Sequence, residues 1–238
     1  MILPSPYGIF VASKHLKRSN HGLVHHLLSA ALLLVALEVS IVHAQPEGAV
    51  LARELIPGLV ERMPYAGASN FTGQAVPGYG GPHCWLHPLA ARALTGVVRD
   101  AIQEGLIIEV YDCYRPKAAL DAFIAWAINP DISTRSRYFP HLKKNELFPL
   151  GYIALESTHR TGLAIDLGIQ GLDFGTPFDF FDPDSGIHAK VSRTAEQNRR
   201  RLHGLMERHG FKPYEQEWWH FTFKLDPPAP PLNGDIPP

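Results

Sequence analysis

Three short stretches of this chain carry polar residues where the surrounding pattern favours apolar ones. The first is Ser157-Thr158-His159-Arg160-Thr161-Gly162-Leu163-Ala164-Ile165-Asp166. His159 precedes a glycine that permits a tight turn, and Asp166 falls inside an apolar run, where a carboxylate is costly unless paired or bound to a metal. Two readings are open here. Either an imidazole and a carboxylate converge across the turn as zinc ligands, or a buried Asp166 hydrogen-bonds His159 with no metal. The second stretch is Glu217-Trp218-Trp219-His220. His220 can be the third ligand of a site whose fourth position belongs to water, and Glu217 the base that takes a proton from that water. The alternative is an aromatic core strand flanked by surface polar groups. A regular strand places residues 217 and 220 on opposite faces, so Glu217 must lie in the entering loop or be re-aimed by a bulge. The third stretch is Asp112-Cys113-Tyr114-Arg115-Pro116. Arg115, fixed by the proline at a strand-to-helix junction, is placed either to stabilise an oxyanion or to make a structural salt bridge.

The elements that must position these groups follow from periodicity. Pro88 opens a helix in which Leu89, Ala90, Ala93, Leu94, Val97, Val98, Ala101 and Ile102 recur at helical spacing, and Gly105 closes it. Leu106 to Tyr114 reads as a strand, Lys117 to about Ile128 as a second helix, and Leu163 to Ile169 as another strand. Thr194 to His209 is a basic amphipathic helix, with Thr194 and Gln197 as a capping box and the arginines at 199–201 as a solvated face. Glu217 to Phe223 is a final strand. Residues 45–87 read as irregular, with a short strand near Asn70-Phe71-Thr72-Gly73, and 170–191 as a loop. Residues 129–156 form a stretch long enough to imply a functional loop or lid. The expected class is α+β: a single domain over residues 45–225 with a central antiparallel sheet, flanking helices and the zinc site at the sheet. The Pro-rich residues 226–238 are expected to be a disordered tail.

Composition narrows the function. The 238 residues are 45% hydrophobic and 19% charged, enough for one domain with a real core. A formal net charge of -1 leaves no general basic surface for nucleic acid. Lys14, Lys17 and Arg18 precede an apolar run from Leu27 to Leu37, and Val42-His43-Ala44 offers a small-x-small cleavage site. Residues 1–44 are therefore expected to be an export signal; the run is short for a membrane anchor, which needs about 20 apolar residues. The expected location is the periplasm, with no stable membrane insertion after cleavage. In an oxidising compartment the two cysteines, Cys84 and Cys113, are expected to form one disulfide worth about 3 kcal/mol, the alternative being two buried thiols.

Taken together and in this order, the three clusters resemble the zinc D-alanyl-D-alanine dipeptidases, the VanX-type branch of peptidase family M15. Ser157-x-His159-x-x-Gly162-x-Ala164-x-Asp166 marks the wider superfamily. Glu217-Trp218-Trp219-His220, Tyr114-Arg115-Pro116, Asn70-Phe71-Thr72-Gly73 and Gly175-Thr176-Pro177-Phe178-Asp179 look like the dipeptidase branch. The resemblance implies one Zn2+ per chain held by His159, Asp166 and His220, with Glu217 as catalytic base and Arg115 as transition-state stabiliser. It also implies Asp179 as the partner of the substrate ammonium and Ser157 as a neighbour of its carboxylate. The implied substrate is a small dipeptide, D-alanyl-D-alanine. Residues 129–156 look like an insertion relative to the family. A D,D-carboxypeptidase acting on peptidoglycan stem peptides shares every ligand and is the nearest alternative; a non-catalytic zinc-binding recognition domain is the other.

Overall fold

The computed structural model describes residues 45–238; the expected signal, 1–44, lies outside them. In chain order the elements are β1 (Val50–Leu51), α1 (Ala52–Leu55), β2 (Val60–Glu61), β3 (Trp85–Leu86), α2 (Pro88–Gln103), β4 (Ile108–Asp112), α3 (Lys117–Ile128), α4 (Arg135–Tyr138), β5 (Ala164–Ile169), α5 (Arg193–Arg208), β6 (Phe211–Tyr214) and β7 (Glu217–Phe223). Five strands form one sheet in the order β2-β4-β5-β7-β6, antiparallel except for the parallel edge pair β2-β4. A small antiparallel pair, β1-β3, stands apart. The class is the expected α+β. No helix among the described residues is long and apolar enough to cross a membrane.

The strands divide their side chains by parity. On β5 and β7, Ile165, Leu167 and Phe221 are fully buried on the face that meets the helices, where His203 of α5 packs edge-on against Phe221 at 5.4 Å. Asp166 and His220 belong to the opposite parity. Helix α2 begins as expected, with Pro88 at its first position and the His87 ring accepting from the Leu89 amide at 3.2 Å. Its buried stripe is Ala90, Ala91, Leu94, Val97 and Ala101. Leu89 and Ile102, expected in the stripe, lie on the exposed side.

Four expectations are corrected. The α5 cap is Ser192, whose hydroxyl accepts from the Ala195 amide at 3.1 Å, rather than Thr194. Residues 70–73 form a turn, closed by the Asn70 side chain on the Thr72 amide at 2.8 Å, rather than a strand. Residues 129–156 are folded: α4 lies within them, Phe139 and Leu147 are fully buried, and Lys144 Nζ donates to the Trp126 carbonyl at the end of α3 at 2.8 Å. The Pro-rich segment 226–238 is a packed strap and not a disordered tail. Ile236 is 1% exposed and its backbone bonds Gly78 and Gly80, while the Leu232 amide donates to the Arg160 carbonyl at 2.7 Å. Its backbone hydrogen bonds and one buried side chain outweigh what its composition implies.

The arginines at 199–201 are not one solvated face either. Arg199 is 3% exposed, and its guanidinium donates to three backbone carbonyls at 2.8 Å: Phe174, Asp184 and Gly186. It thereby ties the 170–191 loop to α5. Arg200 sits in an exposed pair with Glu196. Substituting Arg199→Met, which removes three backbone hydrogen bonds and leaves the buried Phe174 carbonyl unpaired, is expected to lower stability by about 1–3 kcal/mol, whereas Arg200→Met changes it by about 0.5 kcal/mol or less. Urea denaturation of the two variants beside the parent chain checks the contrast.

Candidate active site

Strand register assembles the site. Asp112 on β4 lies opposite Asp166 on β5, which lies opposite His220 on β7. The first of these pairings depends on a bulge: Val110 pairs with Leu167 and Asp112 with Asp166, so Tyr111 is the extra residue. His159 reaches the row from a 3-10 turn, Thr158–Thr161, capped at its start by Ser157, whose hydroxyl accepts from the His159 amide at 3.3 Å. Gly162 ends the turn at φ 67°, and a Cβ there would also come within 2.8 Å of the His87 backbone nitrogen. Glycine is required on both counts.

Three ligand-type atoms converge. His159 Nε2 lies 3.2 Å from Asp166 Oδ1 and 3.1 Å from His220 Nδ1, and His220 Nδ1 lies 2.9 Å from Asp166 Oδ1. Their outer partners orient the rings. His159 Nδ1 is 2.6 Å from the Cys113 carbonyl, which only accepts, so Nδ1 carries the proton and Nε2 presents a lone pair. His220 Nε2 lies 3.3 Å from Thr222 Oγ1 and 3.4 Å from Thr158 Oγ1, hydroxyls able to accept its proton, while Nδ1 is the nitrogen turned toward Asp166 and His159. Among the described residues this is the group of His, Asp, Glu or Cys side chains arranged to hold a metal ion. A lone His159–Asp166 hydrogen bond does not explain why a second imidazole nitrogen meets the same carboxylate oxygen.

Around this point lie the other expected residues. Arg115 is held over the Phe123 ring at 4.9 Å; its Nε and Nη2 donate to Asp112 Oδ2 at 3.1 and 2.9 Å, and Nη1 approaches Ser157 Oγ at 3.5 Å. Burial alone would lower its pKa, but Asp112 and its neighbours carry it above the usual range, so the group stays cationic. Glu217 is brought to the face that carries His220 by the second of the two devices expected. Pro213 pairs with Phe221 and Tyr214 with Glu217, so β7 bulges between these points, and Glu217 Oε2 comes within 4.0 Å of His220 Nδ1. Burial and then the charges of Asp166 and Asp179 push Glu217 well above the usual carboxylate range. Asp179 is 3% exposed and the one non-glycine with positive φ (61°) among the described residues. Its only side-chain partner is the Tyr65 hydroxyl, which donates to both carboxylate oxygens at 2.9 and 3.0 Å. Burial, then Asp166, raise its pKa strongly. All these groups line one cavity of about 430 Å³.

The disulfide Cys84–Cys113 is formed, with the Cα atoms 5.2 Å apart. It pins the residue whose carbonyl orients His159. Three supporting residues were not singled out by the sequence. Asp112, fully buried, receives Arg115 through one oxygen and the Tyr79 hydroxyl through the other, at 2.6 Å. Tyr79 and Tyr65 come from the Gly- and Pro-rich stretch 45–87, where no periodicity marks a buried side chain. For Asp112 a signal was present: it repeats the pattern of Asp166, a carboxylate ending an apolar strand.

A sheet and its adjoining 3-10 turn presenting two imidazoles and a carboxylate to one point, beside a buried acid and a half-buried arginine, is the arrangement of a hydrolase site, and the comparisons place it among peptidases. The family model described as D-ala-D-ala dipeptidase, Peptidase_M15, matches residues 45–232. The chain belongs to the D-alanyl-D-alanine dipeptidase family. Its sequence is 38% identical over 191 residues to the D-alanyl-D-alanine dipeptidase of Enterococcus faecalis and 36% identical over 192 residues to that of Enterococcus faecium, covering 77% of this chain in both cases and 94% and 95% of those proteins. The Escherichia coli dipeptidase is 32% identical over 70% of this chain and 80% of its own length.

Two buried carboxyls with raised pKa values cost stability while nothing binds them. The folded form keeps protons that the unfolded chain releases near pH 4, so stability falls as pH rises from there toward the folded values. In the metal-free protein, Asp179→Asn and Glu217→Gln are each expected to raise stability at pH 7 by about 1–3 kcal/mol, and to give no gain near pH 4. Thermal melts of metal-free parent and variants at the two pH values measure this.

Proposed function

We propose that the chain is a zinc-dependent dipeptidase that hydrolyses D-alanyl-D-alanine to two D-alanines, exported to the periplasm and acting in peptidoglycan precursor or turnover metabolism. The observation that carries the reading is the convergence of His159 Nε2, Asp166 Oδ1 and His220 Nδ1 within 3.2 Å of one another, with the other nitrogen of each ring turned outward to a hydrogen-bond partner. Ligand atoms on a tetrahedral zinc with bonds of about 2.0–2.1 Å stand about 3.3–3.4 Å apart, so the residues fit the ion with little movement. The outward hydrogen bond of His159 to the Cys113 carbonyl is the kind of second layer that orients zinc-binding histidines. What zinc supplies when held there is Lewis-acid polarisation of a carbonyl and acidification of water at neutral pH.

The remaining steps belong to the chain. Glu217, buried within 4.0 Å of His220 Nδ1 and lifted above the usual carboxylate range by burial, takes the proton of the attacking water and passes it to the leaving amine. Arg115, cationic and fixed by Asp112, faces the oxyanion as it develops. Asp179, with one neutral partner, is completed by the ammonium of a free dipeptide. Ser157, beside Arg115 Nη1 and the His159 turn, lies next to the substrate carboxylate. A blocked amino terminus leaves Asp179 buried without a cation, a loss of roughly 3–5 kcal/mol by the cost of breaking a buried pair.

The purified mature chain is expected to cleave D-Ala-D-Ala but not N-acetyl-D-Ala-D-Ala, and a chelator to abolish the activity. The Asp179→Asn variant should lose most of the discrimination. Cleavage of the acetylated peptide by the parent chain would assign the protein to D,D-carboxypeptidase activity. Zinc binding without cleavage of either would assign it to recognition.

A further inference from the structure

The catalytic cavity has two ends, and the reaction above uses the charge of only one. At the closed end lies Asp179 with Tyr65 and Phe71. At the mouth the parity of β7 governs what is presented. Thr222 Oγ1 lies 3.3 Å from His220 Nε2, so the face that carries His220 also carries Thr222, and Lys224, just past the end of the strand, lines the same cavity. Lys212 on β6 is the cross-strand partner of Thr222. Both lysines line the cavity that holds the metal-ligand triad, and both are exposed at its mouth. The carboxylates Asp166 and Glu217 lie against His220, and neither lysine has a salt-bridge partner among the described residues. Of the carboxylates lining the cavity, Asp166, Asp179 and Glu217 are buried; Glu156 alone is exposed. At about 430 Å³ the cavity falls within the roughly 300–1,000 Å³ typical of sites for larger ligands and exceeds the need of two alanines.

We propose that Lys212 and Lys224 form a carboxylate-recognising subsite at the cavity mouth, and that among dipeptides with a free amino terminus an acidic second residue is favoured over its neutral isostere. This rests on the dipeptidase reading, which puts the ammonium on buried Asp179 and leaves the exposed lysines of the same cavity for the second residue. The α-carboxylate is common to every dipeptide. A second carboxylate, carried on the side chain of the second residue, is what two unpaired ammonium groups select.

The test compares kcat/KM of the zinc-loaded chain for D-Ala-D-Glu, D-Ala-D-Gln and D-Ala-D-Ala. Glutamine matches glutamate in size and lacks only the charge. D-Ala-D-Glu is expected to exceed D-Ala-D-Gln by about five- to tenfold at low ionic strength, and the ratio to shrink in about 0.5 M salt. In the Lys212→Gln/Lys224→Gln double variant the ratio should fall to about one; both positions are exposed, and circular dichroism verifies the fold. A ratio of one or less in the parent chain while D-Ala-D-Ala is cleaved, or a ratio that survives in the double variant, overturns the subsite and leaves the dipeptidase reading standing. If none of the three peptides is cleaved, the dipeptidase reading fails and the subsite with it.

Discussion

Two imidazoles and a carboxylate meet at one buried point, and holding them there is the constraint around which the molecule is organised. His159, Asp166 and His220 come from a 3-10 turn and two neighbouring strands, so no local propensity brings them together. They are held by sheet register and by outward hydrogen bonds that fix which nitrogen of each ring faces in. A cation held at that centre, as proposed above, would draw on groups that only the folded chain brings together, and its affinity would be coupled to folding.

The supports of that point reach far along the chain. The Cys113 carbonyl that orients His159 belongs to a residue crosslinked to Cys84. The next residue, Tyr114, donates its hydroxyl to the carbonyl of Gly234 in the C-terminal strap at 2.8 Å. The Arg115 amide donates to the His159 carbonyl at 3.1 Å, so the arginine and the histidine turn move as one unit. Tyr79, whose hydroxyl completes Asp112, pairs with Ile236 of the strap. The strap is thus continuous, through Asp112 and Tyr114, with the catalytic centre. On the other side, Arg199 holds the loop that delivers Asp179, and Trp218 stacks on Phe174 of that loop at 4.1 Å.

Where the sequence was legible, it was because chemistry and period coincided. Asp166 and His220 stood out as polar residues in apolar strands, and Gly162 marked the turn that presents His159. Helices α2 and α3 followed from apolar spacing and from proline at or next to the first turn. What stayed hidden depends on long-range partners. Arg199 is indistinguishable from Arg200 and Arg201 until the carbonyls of residues 174–186 are folded onto it. The strap reads as disorder because its stabilising bonds are made by backbone and by a single side chain, Ile236. The bulge that turns Glu217 inward was deducible as a necessity, but its position is set by pairing with β6, a strand interrupted by Pro213 that periodicity does not reveal.

The most direct test is a crystal structure of the zinc-loaded protein with anomalous diffraction measured on both sides of the zinc absorption edge. The expected result is one anomalous peak per chain, bonded to His159 Nε2, Asp166 Oδ1 and His220 Nδ1, with Glu217 beside it and not bonded. A peak elsewhere, coordination through the opposite ring nitrogen of either histidine, or an empty triad in protein that retains zinc would contradict the account.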